Sequence, residues 1–161
     1  MDILESFAPE FDRPYPILAA KVNNISQGLK YRAFNSRQVE FIDYTSYAGR
    51  SVYCSSLCFL LCKAARDIWP ECKVTLRRPI SKGYFCAVDK GDATALSQAD
   101  ADALTSRMQQ LVEADLPFRR YEVKTDEAIS MFEQMGYSDK VKLLQTSGDV
   151  YVNYYMLEDT A

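Results

Sequence analysis

Three cysteines recur at four-residue spacing in the middle of the chain, at Cys54, Cys58 and Cys62. If this segment is helical, their sulfur atoms lie along one side of the helix, where together they could bind a soft metal. Closed structural zinc sites use four ligands, usually from cysteine pairs on turns, and free cysteine behaves as a small buried hydrophobic residue. We interpret the three thiols as core residues, with metal binding as the alternative.

The 161-residue chain contains no histidine. Imidazole is required by Ser-His-Asp and Cys-His nucleophile systems, by HExxH metalloproteases and by His-ligated zinc. These classes are excluded for this chain, so any catalysis would depend on Asp, Glu, Lys, Tyr or Cys. The acidic pairs Asp100/Asp102 and Asp126/Glu127 fall in the first turns of predicted helices, where the helix macrodipole explains them. We assign no catalytic residue.

Basic side chains cluster in two short segments: Arg77, Arg78, Lys82, Arg119 and Arg120. Tyr84 and Phe85 add aromatic rings beside the first segment, and this mixture can bind RNA or a nucleotide. The net charge of −3 means that any such contact must be local, because no overall positive field exists. The alternative is a solvated hairpin end, which the sequence alone favours. Ser81-Lys82-Gly83 is not a phosphate loop, because the GxxxxGK[ST] pattern is absent.

The elements that position these residues alternate between strands and helices. The patterns predict a helix within residues 1–13, strands over 16–22, 25–30 and 39–44, and a turn at Asn23-Asn24. A polar link over 46–50 then leads to a helix over 51–69, which Pro70 ends. A hairpin follows, with strands over 72–76 and 84–88 and a basic turn over 77–83 between them. The patterns continue with a helix capped by Ser97 that stops near Asp115, a strand over 118–123, a helix capped by Thr125 that ends at Gly136, a helical turn over 141–144, and a strand over 150–157. This order predicts an α+β fold.

The length and composition allow a sizeable core, with 48% hydrophobic residues. The longest apolar run, residues 57–62, is far shorter than the roughly 20 residues of a membrane-spanning helix. The first residues carry acids and no apolar segment follows, so they do not match a secretory signal. We expect a cytoplasmic protein with reduced thiols and no membrane association.

Several short segments, taken in order, resemble the N-terminal region of threonyl-tRNA synthetases. Residues 17–23 followed by Val39-Glu40-Phe41 resemble the second half of a TGS domain, which is a small β-grasp module. Residues 55–73 resemble the first helix of the second additional domain of the synthetase. Further matches to that domain follow in the same order: 80–85, 115–118, 127–128 and 140–144.

In the synthetases, the second domain removes serine wrongly attached to threonine tRNA, using an HxxxH pair on its first helix and a later CxxxH pair. The resemblance places the helix pair at Ser55 and Phe59, and neither side chain can do imidazole chemistry. Cys54 and Cys58 have the same spacing but are displaced by one position, about 100° around a helix. The resemblance therefore implies an editing-like domain without its catalytic ligands.

A closer resemblance is to the N-terminal region of bacterial uridine kinase-like nucleoside kinases, which also lack the editing histidines. It is carried by residues 18–24, 39–43, 56–59, 81–84 and 139–144. It implies a parent kinase that uses ATP and Mg²⁺, with its catalytic P-loop domain expected beyond Ala161 and the first TGS strands expected before Met1.

These resemblances lead to a domain prediction and a function prediction. Residues 1–46 are predicted to form a partial TGS-like β-grasp, and residues 47–161 an editing-like domain. The leading hypothesis is a non-catalytic accessory region of a nucleoside kinase that binds RNA or a nucleotide and contacts its own kinase domain. The alternatives are an aminoacyl-tRNA editing-like or tRNA-binding domain related to threonyl-tRNA synthetase, and an oligomerisation module that uses the strand over 150–157.

Overall fold

The computed structural model describes residues 14–80, 83–92 and 94–157. The helix predicted within residues 1–13 lies outside these ranges. Strands and helices alternate along the described part: β1 Ile17–Val22, β2 Ile25–Gln27, β3 Val39–Asp43, α1 Tyr47–Ile68, β4 Lys73–Ile80, β5 Gly83–Asp89, α2 Gln98–Glu113, β6 Phe118–Lys124, α3 Thr125–Gln134, α4 Ser138–Ser147 and β7 Tyr151–Leu157. The predicted α+β class is confirmed.

The first three strands form an antiparallel sheet in the order β2-β1-β3. Asn23 and Asn24 join β1 to β2 with φ angles of 49° and 67°, as a tight hairpin turn requires and asparagine tolerates. Helix α1 packs against β1 and β3. It buries Leu60, Ala64 and Ala65, whereas Leu57 on the same helix is 38% exposed.

Helix α1 begins at Tyr47, four residues earlier than predicted, so the expected polar link over 46–50 is wrong. The reason is local, because the Ser46 hydroxyl accepts a hydrogen bond from the Gly49 backbone N–H at 3.0 Å. This bond satisfies one of the backbone donors that a helix leaves unpaired at its start. At the other end the helix stops at Ile68, two residues before Pro70, as predicted.

The chain divides into two compact units between Leu104 and Thr105, inside helix α2. The predicted domain boundary at residues 46 and 47 stays a prediction from the resemblance. Ser97 starts α2 as predicted, since its hydroxyl accepts from the Asp100 N–H at 3.2 Å. The helix then ends at Glu113, and Asp115 follows with a φ of 48°.

In the second unit, β6 and β7 pair antiparallel along seven residues each. The Tyr121 and Tyr154 rings stack across the two strands at 5.3 Å, and Phe132 of α3 meets Tyr154 edge-on at 6.3 Å. Helix α4 is longer than the predicted turn over 141–144. The role of β7 in oligomerisation stays a prediction.

Both ends of α3 can be compared with the prediction. Lys124 is the N-cap residue, so the predicted cap at Thr125 is wrong. Thr125 instead lies in the first turn, and its hydroxyl donates to the Asp149 carbonyl oxygen. At the C-terminal end Gly136 has a φ of 75° and its N–H bonds the Glu133 carbonyl at 3.0 Å, which confirms it as the left-handed terminating residue.

Across the helices that the structure describes, none combines the length and the apolar character needed to span a bilayer.

Candidate nucleic-acid interface

Ser55 and Phe59 both lie on α1, one helical turn apart, as the resemblance implies for the two lost histidine positions. The Ser55 side chain is exposed and the Phe59 ring is half-buried. A hydroxyl and a phenyl ring provide no group that titrates near neutral pH or binds a metal as imidazole does. Their correspondence to the synthetase histidines stays a prediction from the resemblance.

The cysteine stripe of α1 is half-buried at Cys54, Cys58 and Cys62. Burial raises the pKa of the Cys58 thiol, and the neighbouring Cys86 of β5 and Cys54 raise it further. A thiol that stays protonated is a poor metal ligand and a poor nucleophile. Over residues 14–80, 83–92 and 94–157, no three cysteine, aspartate or glutamate side chains lie close enough together to hold a metal ion.

The predicted basic turn between β4 and β5 is largely extended strand. Arg77, Arg78 and Pro79 belong to β4, which continues to Ile80, so the turn assignment is wrong for them. Lys82 lies outside the described residues. The strand continues because β5 pairs with β4 almost to its end, with Pro79 opposite Tyr84 and Ile80 opposite Gly83.

A β-bulge interrupts this pairing at the basic residues. Leu76 pairs with Cys86, but the next registered pair is Pro79 with Tyr84. Arg77 and Arg78 therefore oppose the single residue Phe85. Bulges twist a strand locally and redirect its side chains, and they occur often at binding sites.

Strand alternation separates the two aromatic side chains of β5. Tyr84 shares a face with Cys86, whereas Phe85 lies on the opposite face, together with Arg77. Both rings are about half exposed, at 48% and 51%, and Arg77 is exposed. The register thus puts Arg77 on the same face as Phe85 and leaves Tyr84 on the other face of the hairpin.

Arg119 and Arg120 lie on β6, in the second unit. The Arg120 Nε donates a hydrogen bond to the Asn153 side-chain oxygen at 3.0 Å. Arg120 also stands opposite Tyr155 in the register, and that ring is 54% exposed. This pair repeats, on the paired strands β6 and β7, the combination of a guanidinium with an exposed aromatic ring.

A guanidinium beside an exposed aromatic ring suits one kind of recognition. The cation contacts a phosphate and the ring stacks on a base, neither of which needs a proton transfer.

The acidic pairs of the sequence analysis lie at helix starts. Asp100 caps α2 through Ser97, and Asp126 and Glu127 lie in the first turn of α3, where the macrodipole favours them.

A surface cleft of about 480 Å³ lies where β3 leads into α1. Lys21 and Glu40 line it and form an ion pair at 3.8 Å. The Asp43 carboxylate accepts hydrogen bonds from the Thr45 N–H at 2.9 Å and the Thr45 hydroxyl at 2.5 Å. These bonds connect the buried carboxylate of the cleft to the backbone and side chain of Thr45.

Comparison with curated proteins finds threonine–tRNA ligases. The chain is 30% identical to that of Syntrophotalea carbinolica over 143 residues, which cover 88% of this chain and 22% of the ligase. It is 24% identical to that of Syntrophomonas wolfei over 145 residues (90% and 22%) and 23% identical to that of Carboxydothermus hydrogenoformans over 156 residues (96% and 24%). No protein-family model matches the chain.

These relatives bear on the two resemblances differently. The similarity to threonyl-tRNA synthetases is confirmed, and the chain spans about a fifth of the length of these relatives. The relatives give no support to a parent nucleoside kinase or to a kinase domain as partner, so those statements stay predictions.

Proposed function

We propose that this chain is a tRNA-binding module related to threonyl-tRNA synthetases that no longer carries out the editing reaction. Its ligand in this proposal is the tRNA named in the relatives, held by local basic and aromatic contacts. The observation that carries the proposal is the similarity to threonine–tRNA ligases over most of the chain, in a sequence with no histidine.

The β4–β5 hairpin supports RNA binding. Arg77 is exposed beside the bulge and shares a face with the half-exposed Phe85 ring. The bulge interrupts regular pairing where Arg77 and Arg78 oppose Phe85, and such irregularities redirect side chains at binding sites. One phosphate contact and one stacked base at this hairpin suit the unpaired nucleotides of a folded RNA.

The chemistry of α1 supports binding without hydrolysis. The resemblance matches Ser55 and Phe59 to helix positions that the synthetases fill with histidine, and neither side chain can act as a general base near pH 7. The Cys58 thiol is held in its protonated form by burial, so it does not replace the missing groups as a nucleophile.

A longer protein that contains this module would be a synthetase-like or a kinase-like protein. No structural observation favours the kinase, which would bring ATP and Mg²⁺ with a separate domain. The native coding sequence beyond Ala161 distinguishes them, because a kinase requires a GxxxxGK[ST] phosphate loop after a strand.

The test is filter binding of threonine tRNA by the chain and its variants over a range of salt concentrations. We expect binding that weakens as salt is added, because phosphate contacts release counterions. Arg77→Glu should weaken it about tenfold, since it replaces a cation with an anion. Lys142→Glu, which makes the same change at an exposed lysine of α4, is the matched control.

A deacylation assay with seryl-tRNA separates this proposal from the editing alternative. The proposal requires tRNA binding with no release of serine above the uncatalysed rate. Serine release by the wild-type chain would identify a hydrolase, and the absence of salt-sensitive tRNA binding would overturn the proposal.

A further inference from the structure

The connection between β2 and β3 is a long exposed loop over residues 28–38. Every residue in it is exposed. It links the two outer strands of the sheet, which lie on opposite sides of β1. The loop contains neither helix nor strand, so its side chains are not needed to cover the core.

The loop exposes two aromatic rings. Phe34 is 89% exposed and Tyr31 is 44% exposed. Proteins rarely leave a phenylalanine ring this open to water, because burial of the ring is favourable. A ring exposed at a loop tip is available to stack on a planar ligand.

Basic side chains alternate with these rings. Lys30, Arg32 and Arg37 lie in the same loop, and no acidic residue occurs anywhere from Pro14 to Val39. This contrasts with the net charge of −3 for the whole chain. The segment is therefore locally attractive to an anion, although the protein as a whole is not.

Hydrogen bonds tie one end of the loop to the β1–β2 hairpin and close a turn within the loop at the other end. The Gln38 N–H donates to the Asn23 side-chain oxygen at 3.0 Å, and the Asn23 N–H donates to the Gln38 carbonyl at 3.0 Å. At the other end the Tyr31 N–H bonds the Gly28 carbonyl at 3.0 Å. Because these bonds restrict the backbone at the two ends of the loop, less conformational entropy is lost when the loop binds a ligand.

We propose that residues 28–38 form a binding site for single-stranded RNA, in which Phe34 and Tyr31 stack on unpaired bases and Lys30, Arg32 and Arg37 contact phosphates. An apolar protein surface would suit Phe34 alone, but three cations close to the rings favour a ligand with both planar bases and negative charge. The site is separate from the Arg77 hairpin, and it needs no tRNA fold. It therefore goes beyond the proposed function and can be tested independently of it.

The experiment is fluorescence anisotropy of a labelled oligouridine of about eight nucleotides, a length that suits a short stacking site. If three cations contact phosphates, log Kobs should fall against log salt with a slope of about −2. Phe34→Ala should weaken binding about tenfold and leave the slope unchanged, because it removes a stacked base but no charge. Arg32→Gln should reduce the slope by about 0.7.

Two controls make these changes outside the loop. Tyr47→Ala removes a ring that is 83% exposed, and Lys142→Gln removes an exposed cation of α4. Neither should change oligouridine binding. Circular dichroism of each variant checks folding, which the exposed positions should leave intact.

Three results would overturn the proposal. These are no binding of oligouridine by the wild-type chain at low salt, equal losses in Phe34→Ala and Tyr47→Ala, or a loss in Arg32→Gln with none in Phe34→Ala. The last result would show that the loop attracts polyanions without stacking. Threonine tRNA binding measured on the same preparation reports separately on the proposed function.

Discussion

Asp100 accepts hydrogen bonds from both the backbone N–H and the hydroxyl of Ser97, each at 2.8 Å. Its carboxylate also pairs with Lys90 at 3.1 Å. Asp92 behaves similarly, because its carboxylate accepts from the Thr94 N–H at 3.0 Å and the Thr94 hydroxyl at 2.6 Å. At the scale of the residue, these carboxylates stabilise the local backbone.

The capping of α2 predicts a defined pH dependence. The two bonds from Ser97, with help from Lys90, lower the pKa of Asp100 from its ordinary value of 3.8 to about 2. A lowered pKa in the folded state means that the ionised carboxylate stabilises the fold above about pH 4, and that this contribution is lost as the pH falls toward 2. Asp100→Asn should therefore lower the free energy of unfolding at pH 7 and flatten its decline between pH 4 and 2.

Chemical denaturation at pH 7, 4 and 2 measures this effect. Asp102→Asn removes a carboxylate from the same helix without changing Ser97 or Lys90, so it is the matched control. If the free energy of unfolding of Asp100→Asn declines between pH 4 and 2 as steeply as that of the wild-type chain, the decline does not come from this cap.

At the scale of the element, the junction between β3 and α1 contains Gly49, which has less room for a side chain than Gly28, Gly91, Gly136 or Gly148. A Cβ atom built on Gly49 would lie 1.7 Å from the Asp43 carbonyl oxygen. That oxygen also accepts a hydrogen bond from the Ser46 hydroxyl at 3.0 Å. The close approach keeps the first turn of α1 against the end of β3, which fixes where the helix starts.

Gly49→Ala should destabilise the fold by about 3 kcal/mol, because the clash is with backbone that cannot move without disturbing the helix cap. Thermal or urea unfolding measures the loss. Gly28→Ala is the control, since no atom lies within 4 Å of a Cβ there. Equal stability of the two variants would show that the junction is looser than the structure indicates.

Most elements were predictable from local sequence. Local patterns predicted strands at β1 and β3, Pro70 marked the end of α1, and Ser97 and Gly136 marked helix ends. The errors arose where a neighbouring strand or a single hydrogen bond decided the outcome. Arg77 and Arg78 look like a turn because they precede Pro79, yet pairing with β5 extends the strand through them.

The candidate site was only partly predictable for the same reason. Sequence identified Arg77 and its neighbouring aromatic residues, but it could not show that a bulge puts Arg77 with Phe85 and leaves Tyr84 on the other face. The loop over 28–38 was missed because its cations are not adjacent in sequence. The absence of acids from Pro14 to Val39 was the signal that could have revealed it.

At the scale of the whole molecule, charge is distributed unevenly. The chain has a net charge of −3 and a calculated isoelectric point near 5.1, whereas residues 14–39 carry four basic side chains and no acidic ones. Nucleic-acid binding by such a molecule cannot rely on a general positive field. It must combine a few cations with stacking.

This distribution predicts selectivity between anions. Heparin carries dense negative charge but no bases, so the chain should elute from heparin at or below about 150 mM salt, where long-range attraction is screened. Oligouridine and tRNA should still bind at that salt concentration, because stacking is not screened. Retention on heparin equal to that on immobilised tRNA would contradict a role for the aromatic side chains. The Phe34→Ala variant should behave like the wild-type chain on heparin.

The two hydrogen bonds between Asn23 and Gln38 separate the loop over residues 28–38 from the sheet that carries it. They close the exposed loop at the sheet, so the residues between Tyr31 and Gln38 contribute little to the stability of β1, β2 or β3. Substitutions and small insertions there should be tolerated by the fold. The segment is thus free to diversify its ligand preference while the scaffold stays the same, and it is a natural position for randomised libraries.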